Sequence, residues 1–136
     1  MHRLLLAAAL FAATPSVGAV AAAQEACVRP APPAFPAPAD AGALTRPDIE
    51  GHRAVRDGYF TAADANLACL DRQIDARMKT LFATGAPMDA GLRALGAAHE
   101  DASRERAQVY ERFLRLCLAW EDARQTTLAG GCATAR

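Results

Sequence analysis

Lysine is almost missing from this chain: of its 15 basic residues only Lys79 is a lysine, and the formal net charge is zero over 136 residues. The arginines do not gather either. Acidic neighbours accompany them, as in Arg53 to Asp57 and Glu111 to Arg115. Without a basic stripe for phosphates, nucleic acid is not an expected partner. There is no acidic tail. Serine occurs only as Ser16 and Ser103. Ser103 has Arg104 and Glu105 beside it and no histidine one turn away, so nothing resembles a nucleophile with its base. No catalytic residue is expected, and the chain does not read as an enzyme.

Metal motifs are missing too. Cysteine never occurs as C-x-x-C, which excludes zinc clusters of that type and covalent haem attachment. Paired Glu-x-x-His motifs of di-iron bundles do not occur. Apart from His2, the histidines are His52 and His99, too far apart on the expected fold to share an ion. Asp48 and His52 stand one helical turn apart but read better as a capping acid and a solvated imidazole. No cofactor or metal is expected.

No apolar run is long enough to cross a membrane. Leu4 to Ala13 spans about ten residues, where a helix needs about 20. Preceded by Met1-His2-Arg3 and followed by Ala21-Ala22-Ala23, it reads as a signal peptide over residues 1–23, cleaved before Gln24. Lipid attachment at Cys27 is disfavoured because Gln24 and Glu25 precede it. The expected location is periplasmic or secreted, with no membrane span after signal removal.

Export makes the four cysteines legible: Cys27, Cys69, Cys117 and Cys132 imply two disulfides. Residues 24–44 form a proline-rich arm. Pro30, Pro33 and Pro36 are three apart, as are Pro32, Phe35 and Pro38, and polyproline II has three residues per turn. The remainder, 45–136, reads as a helical hairpin. Thr45 is the expected N-cap, with Pro47 and Asp48 in the first turn. Helix 1 then spans about 46–83. Thr84-Gly85-Ala86-Pro87 breaks it, and helix 2 spans about 88–128, stopped by Gly130-Gly131.

Helix 1 carries two apolar rows. One is small: Gly51, Val55, Gly58, Ala62, Ala65, Cys69. The other is large: Phe60, Ala63, Leu67, Leu70, Ile74, Met78, Leu81. The large row is expected to meet helix 2, whose seam runs Leu92, Leu95, His99, Ala102, Arg106, Val109, Phe113, Leu116, Trp120 with alternating spacings of 3 and 4. One short loop makes the helices antiparallel neighbours. Folded about Pro87, Phe60 faces Phe113. The small row is expected to receive the arm. The fold class is therefore all-α: a long, coiled-coil-like hairpin with a proline arm packed on helix 1.

This register selects the disulfides. Cys69 and Cys117 lie ~20 Å apart along the hairpin, beyond the ~7 Å that a disulfide tolerates between Cα atoms. The arm from Asp40 back to Cys27 reaches ~40 Å in polyproline II, which ends near Cys69. Cys27–Cys69 and Cys117–Cys132 are the expected bonds. On the same arithmetic, Phe35 falls beside Val55 and Trp120.

Asp57, Asp64 and Asp71 repeat every seven residues and read as a solvated face. On helix 2 the row Ala107, Tyr110, Leu114, Cys117, with Leu118 beyond it, flanks the seam. Tyr110, Leu114 and Leu118 are the expected interface of a two-fold homodimer; the competing outcome is an arm that covers this row and leaves a monomer. The expected function is a small exported interaction or structural protein acting through its helical surface on a protein partner whose identity the sequence does not give. The alternative is a ligand- or metal-binding module with Met78, Met88 and His99 near the hairpin tip.

Overall fold

The computed structural model describes residues 26–133. The expected signal peptide lies outside the described residues. A short 3-10 helix, Pro38–Ala43, precedes two long helices, α1 (Arg46–Thr84) and α2 (Ala90–Arg124), and the described residues contain no strand. At 1.5 Å per residue the longer rod extends ~58 Å.

Local chemistry fixes the helix ends. Thr45 and Asp48 form a capping box: the Asp48 amide donates to Thr45 Oγ1, and the Thr45 amide donates to Asp48 Oδ2 at 2.8 Å. Gly85 terminates α1 at φ 64°, a conformation in which a side chain is strained, and Ala86 N returns to Leu81 O. Asp89 caps α2 by accepting from Leu92 N at 2.8 Å. The helices run antiparallel: Asp64 pairs with Arg106, Asp71 with His99 and Arg77 with Asp89. The aspartates at 64 and 71 thus clamp the hairpin. Exposed pairs of this kind contribute about 0–1 kcal/mol each, so they set register more than stability.

The core occupies one end. Ile49, Phe113, Leu116, Cys117 and Trp120 pack with Ala41, Leu128 and Cys132, and Tyr59, Phe60, Ala63 and Val109 continue the packing toward mid-hairpin. The chain on both sides of the hairpin is tied to this end. Trp120 Nε1 and Arg124 Nη2 both donate to Leu44 O, at 3.0 and 2.8 Å. Cys27–Cys69 and Cys117–Cys132 are the two disulfides, the pairs the length argument selects. The second joins α2 to a tail that folds back over it.

Two arginines of α1 hold that tail. Arg53 donates to Ala129 O at 2.7 Å and Gly131 O at 2.8 Å. Arg56 is fully buried, donating to Cys132 O at 3.1 Å and to Asp57 Oδ1 through Nε and Nη2. Its guanidinium lies 4.4 Å from the Phe113 ring centroid. A planar, weakly hydrated cation stacked on an aromatic face is the form of charge that a core accepts best.

Four expectations are corrected. The small row does not face inward: Gly51, Val55, Gly58, Ala62 and Ala65 are exposed, and a methyl group added at Gly51 or Gly58 would meet nothing within 4 Å. The inward face keeps Phe60, Ala63 and Leu70 of the large row and Cys69 of the small one, and adds Ile49, Arg56, Tyr59 and Asn66. Phe35 stands at the expected height but on a different face, edge-on to His52 at 6.0 Å and to Phe113 at 5.7 Å, while Val55 is solvated. Phe60 stacks on Tyr110, one turn from Phe113. Finally, α2 stops at Arg124 with Gln125 at φ 48°, short of Gly130-Gly131. The early stop frees the tail to bury Leu128 and Cys132, gains that continued helix would forfeit.

The capping acids make the hairpin pH-sensitive. Hydrogen bonds from the Thr45 hydroxyl and then its amide hold the Asp48 carboxyl below its ordinary value. The Arg77 guanidinium, followed by the Leu92 amide, does the same for Asp89. A folded pKa below the unfolded one contributes stability above the unfolded value, about 3.9, and loses it as pH falls through the folded value. Acidification below about pH 4 is therefore expected to loosen the first turns of α1 and α2 before the core opens. Carboxyl NMR titration with amide exchange at 45–49 and 89–93 checks this; ordinary titration of both acids would refute it.

Candidate functional site

The two ends of the hairpin differ in what they bury. Between Leu70 and Ala102 no residue is buried. Apolar side chains nonetheless collect at the turn. Met78, Leu81 and Phe82 from the end of α1, Ala86 and Met88 from the loop, and Leu92 from the start of α2 line a cleft of about 200 Å³. Phe82 is 77% exposed and Met88 65%. Soluble chains rarely leave such groups together in water without a use for them.

The helix caps build this site. The αL turn at Gly85 reverses the chain within one residue of α1, and the Asp89 cap restarts helix at once. The Arg77–Asp89 ion pair bridges the two helices below the loop, and Arg93 Nη1 donates to Met88 O at 3.2 Å, fixing the loop from the other side. Met78 and Phe82 stand one turn apart and present adjacent side chains. The frame is polar and hydrogen-bonded; the surface it presents is apolar and, at the methionines, adaptable.

The other sequence candidates disperse. Met78 and Met88 do share the tip cleft, but His99 does not line it: its Nε2 lies 3.2 Å from Asp71 Oδ1. His52 packs edge-on to Phe35. Tyr110 and Leu114 are half-buried, Tyr110 against Phe60 and Leu114 against the core; of the three expected interface residues Leu118 alone is open, at 50% exposure. Cys117, Glu121 and Cys132 bring potential ligand atoms within 4.8 Å of one another. The two sulfurs are joined to each other, however, and a metal requires thiolates. Sequence reading finds the tip only in part: it places Met78 and Met88 there, but assigns Leu81 to the helix seam and Phe82 to neither row. The signal available was the lone aromatic in the last turn before Gly85, outside both rows.

The class of protein these features define is an all-α hairpin with two disulfides, a combination consistent with an oxidising compartment. Among the described residues no helix is long and apolar enough to cross a membrane. No family model matches the chain, nor does any curated protein or solved structure.

Proposed function

We propose that this is a small exported protein, periplasmic or secreted, that works without catalysis by presenting its helical surface to a protein partner. In this reading the apolar tip is the contact. One observation carries it: no residue between Leu70 and Ala102 is buried, while Met78, Phe82 and Met88 are displayed at the far end. The base, with its disulfides and buried arginine, is the rigid mount. The coiled-coil-like packing and the arm lying on the helices serve the same end, holding a long rod straight. Signal removal before Gln24 belongs to this reading.

The ligand-binding alternative is less well supported. The tip cleft falls below the roughly 300–1,000 Å³ of ordinary small-molecule sites, and the methionines lack a histidine beside them. The homodimer through Tyr110, Leu114 and Leu118 is weakened by the intrachain cover of the first two, which favours a monomer.

The test is affinity capture from a periplasmic extract with the oxidised protein and with Phe82→Asp/Met88→Asp. Both positions are exposed, so the melting temperature should not change. The expected result is a partner retained by the parent chain and lost by the variant. Equal capture by both would move the contact elsewhere.

A further inference from the structure

The chain carries four cysteines and three methionines. All four cysteines are closed into the two disulfides, so none offers a thiol to an oxidant. Met1 lies outside the described residues, and the other two methionines both line the tip cleft. Met78 is 38% exposed and Met88 65%, whereas the single tryptophan, Trp120, is buried in the core. Among the described residues every thioether therefore stands at the tip, open to solvent, and none lies in the core.

That separation has a chemical consequence. Oxidation turns the apolar, adaptable thioether of methionine into a polar sulfoxide. In a core this change would break packing. At the tip there is no packing to break, because no residue between Leu70 and Ala102 is buried. The loop is built instead by polar bonds: Ala86 N donates to Leu81 O, Leu92 N to Asp89 Oδ1 and Arg93 Nη1 to Met88 O. None of these uses a sulfur. A sulfoxide at either position changes what the tip displays and leaves intact what holds it in shape.

We propose that Met78 and Met88 form a modification site for hydroperoxides, and that their conversion to sulfoxides switches off the apolar tip while the fold persists. The regulatory half of this rests on the reading of the tip as the partner contact. In the reaction with hydrogen peroxide the sulfur lone pair attacks one peroxide oxygen. An S–O bond forms as the O–O bond breaks, and the proton on the transferred oxygen passes to the departing hydroxide, which leaves as water. Sulfur gives up two electrons and the peroxide accepts them. A partner seated on the tip would shield both methionines, so the free protein is the form that reacts. Losing the apolar contact of one buried methionine weakens an association about tenfold or more.

The test treats the disulfide-bonded protein with hydrogen peroxide. Peptide mass spectrometry should find one added oxygen on Met78 and on Met88 before any on Trp120, with the melting temperature unchanged. Retention on a phenyl column, a measure of the apolar tip that needs no partner, should fall on treatment of the parent chain and stay constant on treatment of Met78→Leu/Met88→Leu. Capture of the partner from a periplasmic extract should fall about tenfold in the treated parent. Earlier oxidation of Trp120, a lowered melting temperature or unchanged retention overturns the modification site. Undiminished capture by the sulfoxide form of a partner that Phe82→Asp/Met88→Asp loses overturns the switch. Capture that survives Phe82→Asp/Met88→Asp as well overturns the tip contact and its regulation together, and the mass and retention results keep that outcome distinct from a failed oxidation.

Discussion

Cys27→Ala/Cys69→Ala is expected to lower the free energy of unfolding by about 4 kcal/mol. The bond joins residues 42 apart in sequence, and the chain-entropy relation for a loop of that size gives this magnitude at 25 °C. The effect acts mainly on the unfolded chain. In the folded state the arm keeps the Phe35 contacts with His52 and Phe113 and the Arg29–Glu105 pair at 2.9 Å. Helix content by circular dichroism should therefore hold while the urea midpoint falls. Because the parent and variant unfold from similar native surfaces, the comparison belongs in urea, with the slope checked for a more expanded denatured state. A loss under about 1 kcal/mol would contradict the loop-entropy account.

Arg56→Ala should cost about 3 kcal/mol, a value typical of deleting a large buried group together with its pairings. Three losses combine. The stacked guanidinium leaves a cavity beside Phe113, Cys132 O loses its donor, and Asp57 loses its partner. Asp57 is half-exposed and rehydrates, so it contributes least. Arg56→Met separates the remaining two. Methionine restores most of the volume but leaves the buried carbonyl unpaired, and about 1–3 kcal/mol should persist. Arg56→Lys keeps the charge without the planar fork and should fall between. Thermal and urea unfolding measure all three. Parent-like stability in both the alanine and methionine variants would mean that the tail is held by Cys117–Cys132 and Leu128 alone.

Much of the fold is local and could be read in order along the chain. Thr45 with Asp48 marks a helix start wherever they occur, and Gly85 marks a stop because only glycine enters αL without strain. Two rods joined by a short loop have one arrangement, and rods have lengths. That is why cysteine pairing, a long-range property, followed from counting residues: the reach of an extended arm and the rise of a helix are fixed by backbone geometry.

The candidate site was less legible. Periodicity assigned Met78 and Leu81 to a seam that has no buried member beyond Leu70 on α1. The row continues in sequence after the packing has ended, and no pattern within α1 announces the end. The tip became a site only once the loop placed Met88 and Leu92 beside Phe82.

The sequence by itself determined that this chain is a disulfide-bonded helical hairpin, where each helix begins, where α1 ends and which cysteines meet. The large row marked part of the inward face of α1, at Phe60, Ala63 and Leu70, and tertiary structure decided the rest. Arg56 and Asn66 belong to neither row of the sequence pattern and are buried, while Gly51, Val55 and Gly58, expected under the arm, are exposed. The stabilising partners of Arg56 are a ring on α2 and the carbonyl of Cys132, a residue 76 positions away. A charge is buried or solvated according to what surrounds it, and those neighbours exist only after the tail has folded back.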